Sequence, residues 1–488
     1  MSRKSGTTGI RDKFPFFCRK AVLLLCFALI SFVSFLFFTA NTGTEIYWKT
    51  LAVTACLLIG GLLLRKARSF IQGRPHSLLL AVLLSLCVGV KLFWVLKFRI
   101  EPLVDYKTFF DAANDLAERG VVANGRYIAL FPHIFGYSYF LSLFFKVFGA
   151  STLIPPLVNV LLTCVSLLLI YYICNKLFSK CAAFSAGLIW VFYPSQTMYN
   201  MFALSEPFYS ALILGAWAWI VAICRKRVFS KSLPHVVLSA VILAIMLFAV
   251  NMVRPIALII LISLFIILFI LIPDGSSGKK ADINKLIFFV VTTAVYFLLF
   301  PPATRFITSK IGEEPATVHG YSLYVGFNGK SLGRYNTEDA NLLFQYSDRP
   351  GWSAQDAQKE MLERLKERLT NDNLDFGNLL YRKYEHLWAN DTAVVNYMNS
   401  IIPNQKYTNL LVTLCNGYYH FTIILSCVAL ILLFINPQEP LLLLFPLYFI
   451  GLSISHMLAE VAGRYHYSGI LVFTILSSYA IFAQSGKN

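Results

Sequence analysis

The sequence predicts an all-α protein that crosses a membrane about twelve times, and three observations support this fold class. Hydrophobic residues make up 57% of the 488-residue chain and charged residues only 14%, whereas soluble domains carry about 25% charged residues. The hydrophobic residues cluster in stretches close to the ~20 residues that a helix needs to cross a bilayer. The formal net charge of +17 lies mainly in short loops, as the positive-inside rule requires.

The predicted spans follow one another along the chain and are separated by short polar connections, apart from two longer polar regions. Each span is bounded by charged residues, prolines or polar side chains. The apolar stretches are 20–40, 48–64, 77–97, 152–174, 181–197, 203–224, 233–251, 255–272, 284–302, 408–435, 439–456 and 467–484.

The distribution of charge predicts the orientation of the chain. Cations such as Arg3 and Lys4 place the N-terminus in the cytoplasm, and an even number of spans then returns the C-terminus there. The segments assigned to the cytoplasm hold a large excess of lysines and arginines over acidic residues, whereas the long polar segment 303–406 holds 12 basic and 13 acidic residues. Topology therefore accounts for the positive charge, and nucleic-acid binding is not needed to explain it.

Residues 129–148 are apolar enough to form a further span. If they crossed the membrane, the basic cluster 225–227 would face outward, against the charge rule. We therefore predict that 129–148 lie in the outer interface or re-enter from it, with a full crossing as the alternative.

These assignments divide the chain into membrane and outer parts. Within the second outer part, 353–370 and 376–388 repeat apolar residues at helical spacing, and Ser353 with Asp356 forms a predicted capping pair. The predicted parts are 1–97 (cytoplasmic tail and three spans), 98–150 (first outer loop with juxtamembrane helices), 151–302 (spans four to nine), 303–406 (an extracytoplasmic helical cap) and 407–488 (the last three spans).

The cysteines and Lys91 in the apolar stretches are predicted to be structural residues. The ten cysteines lie in or beside the spans, so no disulfide framework is predicted in the outer regions, and no cysteine–histidine spacing fits zinc. Lys91 lies in the third span near its outer end, where its chain can reach water by snorkelling. No glycine-rich nucleotide loop is present, and ATP-driven transport is not predicted.

Five ionisable residues from distant segments are predicted to meet at the outer membrane face. Each alone could pair or reach water, but ionisable groups near a bilayer are functional candidates by default. Together they offer a carboxylate able to act as a general base and guanidinium groups that match phosphate oxygens. They are Asp105, Glu206, Arg254, Glu460 and Arg464.

Motifs in the same order resemble the GT-C superfamily of membrane glycosyltransferases. The resemblance is strongest to the bacterial family related to protein O-mannosyltransferases and the lipid A aminoarabinose transferase, and it extends from about residue 77 to the end of the chain. The motifs are VDYKTFFDAA (104–113), FPHIFGYSYFLSLFFKVFG (131–149), LSE (204–206), RP (254–255), GFNGKSLGRYNTEDA (326–340), YRKYEHLW (381–388) and EVAGRYHY (460–467).

The resemblance implies an inverting glycosyltransferase at the outer face of the cytoplasmic membrane. Its donor would be a sugar carried on a polyprenyl phosphate, and its acceptor a cell-envelope glycan, teichoic acid, lipid or protein. Asp105 would be the catalytic base, and Arg254 with Arg464 would bind the donor phosphate. The stretch 321–339 would lie over the site. The remaining implied site candidates are Glu206, Glu460, His133, Tyr465, Asn328 and Asp339.

The residue after Asp105 differs from a pattern found in some relatives, which carry a second acidic residue there. Tyr106 occupies this position, so the sequence does not indicate a metal, and no cofactor is assigned. Three alternatives without this chemistry stay open: a transporter or flippase for polyprenyl-linked glycans, a polysaccharide polymerase or ligase, and a non-catalytic assembly factor.

Overall fold

A computed structural model describes residues 10–272, 278–402, 405–436 and 439–483 of the chain. Arg3 and Lys4, used above to orient the N-terminus, lie outside these residues, as does the last residue of the final predicted span. Within the described residues the regular secondary structure is entirely helical. The predicted all-α class is therefore confirmed.

The helices are numbered here along the chain. They are α1 (Ile10–Asn41), α2 (Glu45–Lys66), α3 (Arg68–Gly73), α4 (His76–Lys97), α5 (Asp105–Glu118), α6 (Gly125–Leu130), α7 (His133–Phe148), α8 (Ile154–Leu177), α9 (Lys180–Phe192), α10 (Pro194–Tyr199), α11 (Glu206–Arg225), α12 (Leu233–Val253), α13 (Ala257–Phe265), α14 (Lys279–Leu298), α15 (Phe300–Ile311), α16 (Gly320–Gly326), α17 (Thr337–Ser347), α18 (Ala354–Asn371), α19 (Phe376–Trp388), α20 (Ala393–Ile401), α21 (Gln405–Ile435), α22 (Leu444–Leu458) and α23 (Gly469–Phe482).

Ten helices in the described part of the chain are long and apolar enough to cross a membrane. Two of the predicted spans correspond instead to shorter apolar helices, α9 and the continuous helix Ala257–Leu271, which extends α13 by one π-helical segment. The multi-pass membrane prediction is thus confirmed, and ten long and two short helices match the twelve predicted stretches. The orientation of the chain stays a prediction.

The predicted span 181–197 is broken by a proline. Helix α9 ends at Phe192, and Pro194 begins the short helix α10 because proline lacks the N–H that would continue the first helix. Residues between α10 and α11 are irregular but fully buried. Irregular backbone at membrane depth is tolerated only where protein or water surrounds it, so this segment lies inside the bundle.

Helix α7 contains most of the ambiguous segment 129–148, and its contacts lie at one end of the bundle. Gly136 allows its backbone to approach Met252 so closely that an added Cβ would lie 2.2 Å from the carbonyl oxygen. Phe140 stacks on Phe208, at the start of α11, with ring centroids 3.9 Å apart. These contacts favour the interfacial placement, which stays a prediction.

The predicted cap is helical and packs onto the same end of the bundle. Ser353 and Asp356 form a capping box at the start of α18, and α19 coincides with the predicted 376–388 helix. Trp388 at the end of α19 is fully buried against Phe449 and Phe473 of the membrane helices. The cap is therefore joined to the bundle by packing as well as by the chain.

Two sequence-based assignments need correction. The boundary placed at 303 falls inside α15, because two prolines follow Phe300 in its first turn, where proline is tolerated, and the helix continues to Ile311. Lys91 does not snorkel: its side chain is fully buried and its Nζ donates to Thr197 Oγ1 at 2.5 Å. The break before α10 carries Thr197 to a position within reach of this ammonium group.

Candidate active site

The five outer-face candidates lie at the ends of different helices, at the same end of the bundle as the cap. We call this end the site face. Asp105 begins α5, Glu206 begins α11, Arg254 lies between α12 and α13, and Glu460 and Arg464 lie between α22 and α23. Two ion pairs and one tyrosine connect four of these five side chains.

Asp105 follows a strained residue. Val104 has φ 51°, a backbone conformation that a β-branched residue rarely adopts. The turn places Asp105 at the first position of α5, where the positive end of the helix dipole favours a carboxylate. Backbone strain of this kind often accompanies functional positions.

Asp105 and Arg464 form the first ion pair. Arg464 Nη2 donates to Asp105 Oδ2 at 2.5 Å. The arginine side chain is only 13% exposed, whereas the carboxylate is 43% exposed. One carboxylate is therefore held by a buried cation and still faces open space.

Glu206 and Arg254 form the second ion pair. Arg254 Nη2 donates to Glu206 Oε1 at 3.1 Å, and the glutamate is completely buried. Pro207 follows at the next helical position and fixes the start of α11. This pair confirms one reading left open by the sequence, in which Glu206 neutralises an arginine.

Tyr465 connects the two pairs. Its ring centroid lies 5.2 Å from Arg254 Cζ and 5.7 Å from Arg464 Cζ, within the range of a cation–π contact. The Nε atoms of both arginines are buried and have no hydrogen-bond acceptor among the described residues. Each arginine thus keeps one buried N–H donor without an acceptor beside the ring.

Glu460 lies next to this cluster but pairs with neither arginine. Its N–H donates to the Ser322 carbonyl at 2.8 Å, and its Oε1 lies 3.5 Å from the Tyr465 hydroxyl. Burial raises the pKa of Glu460, and the negative charge of Asp105 adds to this effect, whereas Arg464 opposes it. The protonated form of this carboxyl group is thus favoured relative to a solvated glutamate.

His133 joins the site from α7. Burial lowers its pKa to about 3, and the positive charges of Arg254 and Arg464 act in the same direction. His133 is therefore a neutral hydrogen-bonding group near neutral pH.

Aromatic residues around Asp105 were not identified from the sequence. Tyr106 packs on Phe202 and Tyr397, with ring centroids 4.7 and 5.9 Å away. Tyr397 lies 6.0 Å from Arg464 Cζ. Burial raises the pKa of Tyr127 to about 12, and the charge of Asp105 contributes. No local pattern marks these tyrosines, because only the fold brings α5, α6 and α20 together.

Asn328 and Asp339 form a separate network within the cap. Asn328 Nδ2 donates to Asp339 Oδ2 at 2.8 Å, and Arg368 Nη2 pairs with Asp339 Oδ1 at 3.1 Å. The Gly333 carbonyl accepts a hydrogen bond from Val461 at 2.9 Å, so this loop lies beside the Glu460 segment. The two residues shape the loop, and neither contacts the arginines of the site.

A buried acid–histidine pair lies behind Arg464. His466 Nε2 is 3.1 Å from Asp391 Oδ1, and its Nδ1 is 2.7 Å from the Leu387 carbonyl oxygen. Since the carbonyl can only accept, Nδ1 carries a proton, and a single further proton is shared between Nε2 and the carboxylate. His466 is the seventh residue of the motif EVAGRYHY, but nothing in the motif indicates its partner.

Within the described ranges, no set of three or more histidine, cysteine, aspartate or glutamate side chains comes together as a metal ion would need. Metal dependence is thus left as an open point of the sequence prediction.

Comparison with known proteins gives matches in structure only. No family profile matches the sequence, and no curated protein matches it. The archaeal oligosaccharyltransferase AglB from Archaeoglobus fulgidus, in complex with an inhibitory peptide and a dolichol-phosphate, matches with a TM-score of 0.50 and 13% identity over 83% of this chain and 50% of that chain. ArnT from Cupriavidus metallidurans bound to undecaprenyl phosphate covers 83% of this chain and 77% of that chain at 11% identity and a TM-score of 0.33, too low to support an argument.

The match to AglB confirms the fold that the motif resemblance implied. This chain shares the fold of the membrane part of that oligosaccharyltransferase, at a sequence identity that establishes the fold alone. The chain spans about half the length of the oligosaccharyltransferase that it matches.

Proposed function

We propose that this protein is an inverting glycosyltransferase that moves a sugar from a polyprenyl phosphate to a cell-envelope acceptor at the outer face of the membrane. The observation that carries the proposal is the paired arrangement of Asp105–Arg464 and Glu206–Arg254 around Tyr465. It combines an accessible carboxylate with two buried, partly unpaired guanidinium groups. Such a combination suits a reaction that removes a proton and releases a phosphate.

Asp105 is the general base of this proposal. Its carboxylate accepts the proton of an acceptor hydroxyl while that oxygen bonds to the anomeric carbon from the side opposite the phosphate. The configuration at that carbon is inverted in this single displacement. Base catalysis of this kind contributes about 10²–10⁴ in rate. The 43% exposure of Asp105 lets the proton leave to solvent afterwards.

The two arginines bind the leaving group. As the bond between the anomeric carbon and the phosphate oxygen breaks, negative charge grows on the polyprenyl phosphate. The guanidinium groups of Arg254 and Arg464, which are 16% and 13% exposed, donate to its oxygens, and prepositioned donors of this type stabilise a transition state. Glu206 holds Arg254 in place and keeps the pair neutral before the donor arrives.

Carrier and acceptor are proposed at the level of chemical class. The AglB structure holds a dolichol-phosphate, and the shared fold supports a polyprenyl carrier here. Asn328, Asp339 and their loop would form the roof of the site, with His133 and Glu460 as hydrogen-bonding groups for the sugar. Glycan, teichoic acid, lipid and protein acceptors all supply the hydroxyl that the mechanism needs.

Mass spectrometry of cell-envelope glycans tests this function. Cells lacking the protein should lose one sugar modification, the wild-type chain should restore it, and Asp105→Asn should not. The Asp111→Asn variant is a matched control because Asp111 pairs with Lys107 on the exposed face of α5. If the protein were a flippase without this chemistry, the Asp105→Asn variant would also restore the sugar modification. That result would contradict the proposal.

A further inference from the structure

A groove lies at the end of the bundle opposite the site face. It is a shallow groove formed by the first turns of α1, the last turns of α21 and the segment that precedes α22. Leu23 and Leu442 contribute apolar wall, and Phe16 and Phe434 contribute aromatic wall. We call it the basal groove.

Two cations line the basal groove, and neither has a carboxylate partner among the side chains that the structure describes. Lys20 Nζ lies over two aromatic rings, 4.8 Å from the centroid of Phe16 and 4.6 Å from that of Phe434. Arg19 donates through Nε and Nη2 to the Leu271 carbonyl at 3.0 and 2.6 Å. These bonds occupy one edge of the guanidinium. The N–H groups of Nη1, on the other edge, can donate to a ligand.

The acidic residue of the groove does not neutralise these cations. Glu439 lines the groove, but its Oε1 accepts a hydrogen bond from Arg225 Nη1 at 2.8 Å. The acid is thus paired with a third cation. Counting Arg19, Lys20, Arg225 and Glu439, the groove carries a net positive charge.

The position of the groove at the end of the bundle indicates which class of ligand it could bind. It lies at the end of membrane-spanning helices, where lipid head groups are found, and the surrounding side chains Phe17 and Ile435 are 70% and 64% exposed. Basic pockets between spans on the positively charged side of membrane proteins suit anionic lipid head groups. Phosphate oxygens can bind Lys20 and Arg19 while acyl chains lie along the apolar faces of α1 and α21.

We propose that the basal groove is a binding site for an anionic phospholipid, with the phosphodiester held by Lys20 and Arg19 and the acyl chains against the aromatic wall. The site is distinct from the proposed donor site and does not depend on it. A lipid bound there would join α1 to α21 and α22 at the end of the bundle that the cap does not cover.

Thermal unfolding of the purified full-length protein in phosphatidylcholine micelles tests the site. Adding phosphatidylglycerol should raise the unfolding midpoint of the wild type, because a ligand that binds only the folded state stabilises it. In Lys20→Gln the rise should fall below half of the wild-type value, and in Lys20→Arg it should be retained. Lys226→Gln, which removes an exposed lysine at the same end, should behave like the wild type.

Three results would overturn the proposal. The first is a full rise in Lys20→Gln, and the second is an equal loss in Lys226→Gln, which would indicate a general effect of net charge. The third is an equal rise with inorganic phosphate in place of the lipid, which would assign the groove to a free anion. If Lys20→Gln does not fold, native mass spectrometry of the wild type provides the test: selective retention of phosphatidylglycerol over phosphatidylcholine supports the site, and equal retention refutes it.

Discussion

Asp105 and Arg464 are separated by most of the chain, yet their side chains form a 2.5 Å ion pair at the site face. The ion pair fixes the orientation of the Asp105 carboxylate and leaves part of it exposed. Arg464 orients the carboxylate through this bond, because its guanidinium is itself largely buried and fixed in place. The open side of the carboxylate stays accessible to a substrate hydroxyl.

Replacement of Asp105 by asparagine removes the base and keeps the shape of the side chain. We expect the kcat of sugar transfer to fall by about 10²–10⁴, because the acceptor hydroxyl keeps its proton in the transition state. The measurement is initial rate with purified protein, compared with Asp111→Asn. Unchanged turnover in a folded Asp105→Asn protein would remove Asp105 from the mechanism.

Arg254 is expected to serve both stability and catalysis, and two variants separate these roles. Arg254→Gln leaves Glu206 charged and buried, which should cost about 3–5 kcal/mol of unfolding free energy. The double variant Arg254→Gln/Glu206→Gln should recover most of that stability and still lack a phosphate-binding cation. Its kcat should be reduced about 100-fold or more. Recovery of activity together with stability would show that Arg254 is only structural.

The raised pKa of Glu460 predicts a specific dependence of stability on pH. A solvated glutamate titrates near pH 4.3, and burial raises the pKa of Glu460 above that value. Stability contributed by this group is complete below about pH 4.3 and is lost as pH rises through its folded-state pKa. Glu460→Gln should therefore gain stability relative to the wild type as pH increases over this window. Thermal unfolding of both proteins between pH 4 and 8 measures the difference, and a constant difference would contradict the assignment.

At the scale of the helices, close approach of α16 and α18 depends on one glycine. A Cβ added at Gly320 would lie 1.9 Å from the Gln358 carbonyl oxygen, so the two helices would have to move apart. Overpacking of this kind costs about 1–3 kcal/mol. Gly320→Ala should lower the unfolding midpoint and weaken the cap. Gly60→Ala is the matched control, since nothing lies within 4 Å of its added Cβ; a loss of equal size there would refute the packing argument.

Local signals explain which helices the sequence could predict. The boundaries of α18 and α19 follow from a capping box, helical periodicity and charged outer faces, all of which are properties of neighbouring residues. Helix α10 lies inside a stretch predicted as one continuous span, and no local pattern in the sequence predicts α16 or α17. Their formation depends on tertiary contacts such as the approach of Gly320 to α18, which a local pattern does not contain.

The residues of the candidate site also divide into those that the sequence could predict and those that it could not. Charged residues near the membrane face were identified because they are rare and costly there, and four of them meet in two ion pairs. Tyr106, Tyr127 and Tyr397 were missed because tyrosine is common at membrane interfaces. The burial of Lys91 was missed because its partner Thr197 lies 106 residues away.

At the scale of the whole molecule, the predicted orientation is open to a direct test. Tyr335 in the cap is 63% exposed, and Lys226 is exposed at the opposite end of the bundle. In intact cells, a membrane-impermeant maleimide should label Tyr335→Cys, whereas Lys226→Cys should react only after permeabilisation. The reverse pattern would place the site in the cytoplasm and contradict the use of an outward-facing donor.

Product analysis tests most directly whether this bundle breaks the bond between a sugar and its polyprenyl phosphate. Purified protein in liposomes is incubated with polyprenyl-phosphate sugars and envelope acceptors, and released polyprenyl phosphate is quantified. We expect release that requires the acceptor, gives a product of inverted anomeric configuration and is lost in Asp105→Asn. Transfer with retained configuration, or equal release by the Asp105→Asn protein, would contradict the account.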